Sequence, residues 1–113
     1  MQLDIDEVKK DINYMLSAAS AKNFSRNEFH YKVQFALAEL GKKYGLIGKR
    51  EYFVDGYGGA IDVAWLLDSV PVAVFEIDSS YRKKSIGKLS FIKSKYKFWI
   101  YYGMEPLYYF IVW

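Results

Sequence analysis

Residues 60–78 read Ala60-Ile-Asp-Val-Ala-Trp-Leu-Leu-Asp-Ser-Val-Pro-Val-Ala-Val-Phe-Glu-Ile-Asp78. Two apolar runs of strand length flank the turn Leu67-Asp-Ser-Val70, and Pro71 suits the first residue of a strand. The pattern predicts strands over Ala60–Leu66 and Val72–Ile77, antiparallel because the turn between them is short. The second run is apolar on both faces, which suits a central strand. Each run holds one acid, Asp62 and Glu76. An ionised carboxylate inside an apolar strand is costly unless it is paired or binds a metal. Glu76 and Asp78 project to one side because strand side chains alternate. If Asp62 faces that side too, three carboxylates converge. Such a cluster either raises one pKa strongly or holds a divalent cation. The plainer alternative puts these acids at strand ends in water, or against Lys or Arg.

The rest of the chain builds outward from this hairpin. Glu51-Tyr-Phe-Val54 reads as a preceding strand, joined to it by Asp55-Gly-Tyr-Gly-Gly59, a turn rich in glycine. Residues 4–20 carry Ile5, Val8, Ile12, Met15 and Ala19 at helical spacing, behind the acids Asp4, Asp6 and Glu7. Ser25-Arg-Asn-Glu28 has the capping-box pattern. It opens a second helix with Phe29, Val33, Ala36, Leu37 and Leu40 on one face, ended by Gly41 or Gly45. Ser79 or Ser80 can cap a third helix from about Tyr81 to Ser94. Phe98–Tyr102 and Leu107–Val112 read as two last strands around Gly103-Met-Glu-Pro106. The order is helix, helix, three strands, helix, two strands. Short turns make the first three strands antiparallel neighbours, and the helix returns the chain to a fourth strand parallel to the third. This is an α/β fold in one domain, 1–113, with a mixed central sheet flanked by helices.

Composition limits the chemistry. The 113 residues suit one domain with a core, and 52% hydrophobic with 19% aromatic content excludes disorder. With 0 Cys and 1 His, thiolate sites and histidine-rich zinc sites are excluded, so a metal would be hard and oxygen-bound. No apolar run approaches the roughly 20 residues that span a bilayer. Met1-Gln-Leu-Asp4 lacks the start of a signal peptide, so a cytoplasmic, soluble protein is expected. The net charge of +3 is a mild lean toward anionic partners.

A helix carrying an acid, Gly-Ala-Ile-Asp62 on one strand and an apolar strand ending Glu76-Ile-Asp78 before a helix together resemble the PD-(D/E)XK superfamily. That group includes type II restriction endonucleases and archaeal Holliday-junction resolvases. The resemblance covers about residues 25–102 and implies a restriction-endonuclease-like αβββαβ core, here with an extra N-terminal helix and a C-terminal strand. It implies Mg²⁺ (or Mn²⁺) held by Asp62 and Glu76, with Glu28 completing the site from the helix; Asp78 joins as a further ligand where a displaced lysine supplies the cation. It implies a metal-dependent endonuclease acting on DNA phosphodiester bonds. Mg²⁺ among carboxylates can polarise a phosphoryl oxygen and lower the pKa of a bound water. Glu28 has a second reading, the closing residue of the capping box. His30, two residues along that helix, is expected to point elsewhere as an ordinary surface or packed histidine.

The chain departs from the family at one position. Asp78 stands where the motif lysine is expected, and a carboxylate cannot stabilise developing negative charge. Two readings follow. In the first, Lys84 or Lys83 at the start of the next helix supplies the cation. Arg82, Lys83, Lys84 and Lys88 then contact the nucleic-acid backbone, with Lys93, Lys95 and Lys97 extending the basic stretch. In the second, the domain is a catalytically degenerate nucleic-acid-binding or assembly subunit. Lys42, Lys43, Lys49 and Arg50 form a second basic group. The last two strands lack alternation, so one face is expected to cover the core and the other to form a homodimer. A protein-interaction module using that aromatic face is a third possibility.

Overall fold

The computed structural model describes residues 1–80, 83–104 and 107–112, without the side chains of 103, 104 and 107–112. Helix α1 (Ile5–Ser20) begins where the Asp4 carboxylate accepts the free backbone N–H groups of Asp6 and Glu7. Its central stripe is Val8, Ile12 and Leu16, all buried, with Ile5, Met15 and Ala19 partly buried beside it. Helix α2 (Arg26–Leu40) begins with the expected capping box: the Glu28 N–H donates to Ser25 Oγ, and the Ser25 N–H to Glu28 Oε1. A single 3₁₀ turn, Gly41–Tyr44, follows and ends on Gly45 at φ 75°. Both glycines expected to stop the helix therefore act in succession.

Strands β1 (Ile47–Val54), β2 (Gly59–Leu67) and β3 (Val70–Asp78), helix α3 (Lys83–Phe91), and strands β4 (Tyr96–Met104) and β5 (Leu107–Val112) complete the chain. The sheet order is β1-β2-β3-β4-β5, with β3 parallel to β4 and every other pair antiparallel. The mixed sheet, its central third strand and the helical crossover are as the sequence predicts. β1 is longer than the pattern suggests, starting at Ile47 rather than Glu51. Its first half carries Gly48, Lys49 and Arg50, so hydrophobicity hides it; backbone pairing to β2 makes the strand.

The helices cover both sheet faces. On one face α1 and α2 pack on Val63, Trp65, Phe75, Ile77, Phe98 and Ile100. The Trp65 indole N–H donates to the Leu37 carbonyl, tying β2 to α2 at 2.9 Å. On the other face Leu89 and Ile92 join Val54, Ile61, Ala64, Val74 and Trp99. The second face of β4 is thus occupied within the chain at Trp99, which is 6% exposed. α3 crosses over the strand at this point. The aromatic side chains of β5 lie outside the described residues. Among the described residues, no helix is long and apolar enough to cross a membrane.

Gly48 sets the distance between α2 and β1. A Cβ there would fall inside the van der Waals envelope of the Ala38 backbone carbonyl, which cannot swing away as a side chain can. Gly48→Ala is therefore expected to cost about 2–4 kcal/mol. Gly45→Ala, in open space at φ 75°, is expected to cost only about 1 kcal/mol. Thermal denaturation of the two variants against the parent checks the ranking.

Candidate active site

The β2–β3 ladder runs from Leu67↔Val70 to Val63↔Phe75 and stops there. The next residues across the gap are Asp62 and Glu76. The Asp62 N–H donates to Glu76 Oε2 at 2.9 Å, and the Ile77 N–H donates to Asp62 Oδ2 at 2.8 Å. Each acid therefore satisfies a backbone donor on the opposite strand. The strands part, yet no N–H is orphaned at this point.

The gap coincides with a reversal of face in β1 and β2. Glu51 has φ 51°, and Glu51 and Asp62 are the one unpaired level between Arg50↔Val63 and Tyr52↔Ile61. Before that level Arg50 lies over the Tyr31 and Phe35 rings of α2, and Val63 joins the α1–α2 core. After it Tyr52 and Ile61 pack with the α3 cluster. Gln34, 4% exposed, holds the reversal by donating from Nε2 to the Asp62 carbonyl (2.9 Å) and to Glu51 Oε1 (3.0 Å).

The two acids consequently meet groups from opposite faces. Asp62 Oδ1 lies 3.7 Å from His30 Nε2 on α2, and Glu76 Oε1 lies 3.0 Å from Lys88 Nζ on α3. Lys88 also donates to the Ala60 carbonyl at 2.8 Å. A cleft of about 350 Å³ opens over this arrangement, with Arg26, Asn27, Lys84 and Tyr102 on its walls.

The environments drive the carboxyls apart. Burial, then the charge of Asp62, pushes Glu76 up to about 8, against the pull of the Asp62 N–H and of Lys88. Burial also opposes ionisation of Asp62, but the neighbouring His30 imidazole and the Ile77 N–H outweigh it and hold Asp62 below the usual carboxylate value. Asp62 in turn raises His30 above the ordinary imidazole value, with burial opposing. Of the two carboxyls, Glu76 therefore holds a proton more readily than Asp62.

The expected residues fall in different places. Asp62, Glu76, Asp78, Lys84 and Lys88 line the cleft. Asp78 accepts the Trp99 indole N–H at 2.8 Å, which turns one of its oxygens toward β4. Among the described residues no three of His, Cys, Asp and Glu are gathered as a metal-ligand group, although Asp62, Glu76 and Asp78 face the same cleft. Glu28 closes the capping box, its second reading, and does not line the cleft. Lys83 is exposed at the start of α3 and off the cleft wall; Arg82 lies outside the described residues. Lys88, not Lys84 or Lys83, is the cation against Glu76. His30, expected to point elsewhere, reaches Asp62. In the second basic group, Lys42 pairs with Glu39 and Lys43 with Glu7 and Asp11.

His30 and Gln34 are the residues the pattern missed. Gln34 carried one readable signal, a polar residue beside Val33 in the buried stripe of α2, four positions from His30. Comparison with known proteins finds no matching family model, no similar curated protein and no similar solved structure.

The shifted groups give stability a pH profile. Glu76 and His30 have folded values above their unfolded ones, 4.5 and 6.5, so their contributions are full below those values and are lost as pH rises through the folded ones. Asp62, held below 3.8, contributes above that value and loses its contribution on acidification. The melting temperature is expected to fall as pH rises from about 5 toward about 8.5. Glu76→Gln should flatten most of that slope, as melting curves across the range would record.

Proposed function

We propose that this chain is a divalent-metal-dependent endonuclease of restriction-endonuclease-like fold, cleaving DNA phosphodiester bonds at the gap between Asp62 and Glu76. One observation carries the reading: two carboxylates meet where the β2–β3 hairpin opens, with the Lys88 ammonium 3.0 Å from Glu76. The element order agrees with an αβββαβ core preceded by one helix and followed by one strand.

The donor set suits a hard cation. Mg²⁺ takes one or two carboxylates and keeps several waters, so Asp62 and Glu76 suffice without a third acid. The bound ion would polarise a phosphoryl oxygen and lower the pKa of a water. The chain's own residues have distinct parts. Asp62 supplies a fixed negative charge, oriented by the Ile77 N–H. Lys88 supplies positive charge where the phosphorane becomes more negative, a role a carboxylate at position 78 cannot fill. It takes the place of the motif lysine from α3. Arg26 and Lys84, on the cleft wall, would hold flanking phosphates without reading sequence. A homodimer through the aromatic C-terminal strands would place two such sites for cutting two strands.

A specific observation favours the rival reading of a binding subunit without hydrolysis: Lys88 already engages both Glu76 and the Ala60 carbonyl. Incubation with supercoiled, linear, single-stranded and branched DNA separates the two. The nuclease reading expects Mg²⁺- or Mn²⁺-dependent cutting that chelation abolishes. Asp62→Ala and Glu76→Ala should then lose it, Lys88→Ala should fall by about 10²–10³, and Lys84→Ala should mainly weaken binding. Salt-sensitive binding with no cutting of any substrate supports the subunit instead.

A further inference from the structure

A second cavity, about 370 Å³, adjoins the acidic cleft and shares Arg26, Ser79 and Tyr102 with it. Its character differs. Phe24 and Phe29 join Tyr102 on its walls, with Phe29 and Tyr102 ring centroids 4.8 Å apart. Asn23, on the loop after α1, also lines it, held at φ 54°, a left-handed conformation that Asn tolerates better than most residues. Aromatic walls with an amide among them, and an arginine shared with the acidic cleft, are suited to a planar, polar-edged ring attached to a phosphate. An alkyl ligand would leave the arginine and the amide without a purpose, and a free phosphate would leave the rings without one.

We infer that this second cavity seats an unpaired nucleobase of the strand whose phosphate lies in the acidic cleft, with Arg26 gripping the backbone between them. The inference rests on the nuclease reading and adds to it the substrate class. A base stacked in a duplex cannot enter; a base in a single strand, gap, flap or junction can, at little unstacking cost. Stacking on aromatic side chains is tolerant of base identity, so the pocket selects for an unpaired nucleotide more than for a sequence.

Binding without metal tests this separately from cleavage. The full chain, in chelator, is titrated into a single-stranded oligonucleotide carrying 2-aminopurine and into its duplex. The pocket predicts quenching of the 2-aminopurine on the single strand, tighter binding to it than to the duplex, and an affinity about tenfold lower for Phe24→Ala. The wild-type quench stands by itself should Phe24→Ala fail to fold. Equal binding of both forms without quenching overturns the pocket, and metal-dependent cutting of duplex DNA would still uphold the nuclease. Absence of any nucleic-acid binding overturns the pocket, and absence of cutting as well overturns both.

Discussion

At the open end of the β2–β3 hairpin, two backbone N–H groups donate to carboxylates where a sheet would offer carbonyls. Asp62 and Glu76 thereby do two jobs. They keep the strands apart without leaving buried donors unsatisfied, a defect that costs about 1–3 kcal/mol each. They are also held rigidly by those bonds, with their remaining oxygens turned toward His30 and Lys88. Ordinary ladder pairing at this level would close the gap. Apolar residues here would leave the N–H groups without partners.

The neighbouring features follow from this opening. Glu51 leaves the ladder at the same level, and its positive φ turns β1 over so that residues before and after it serve different cores. Gln34 bridges that turn to Asp62 from a helix otherwise packed through Val33, Leu37 and Ala38. The parallel β3–β4 crossover then lays α3 over the second face, which brings Lys88 to Glu76. One acid is approached from each side of the sheet. That difference in surroundings separates their proton affinities, with Asp62 held below the usual carboxylate value and Glu76 pushed above it, chiefly by burial.

Burial and charge are arranged by distance rather than by chain order. Lys88 is four residues beyond Lys84 and on the same helical face, so both reach the cleft. Only Lys88 lies deep enough to meet Glu76, with 16% of its side chain exposed. Lys83 starts the helix on another face and remains in solvent. A lysine's role here is therefore set by how α3 sits on the sheet, which the spacing of basic residues does not reveal.

Local rules decided much of the fold before any tertiary contact. Asp4 and Ser25 announce the two helix starts because a side-chain oxygen must answer free N–H groups. Gly41 and Gly45 end the second helix, and the doubly apolar run of β3 takes the sheet's centre because both its faces are covered. Asp62 and Glu76 were legible as anomalies, since hydrophobic patterning alone would not place acids there. What the sequence could not disclose was where their oxygens point. Asp78 turning to Trp99, His30 reaching Asp62, Gln34 spanning to Glu51 and Lys88 displacing Lys84 all join residues distant in the chain. Periodicity assigns a side chain to a face. The strand reversal at Glu51 breaks that periodicity, and the packing of α2 and α3 on opposite faces then determines which groups meet in the gap.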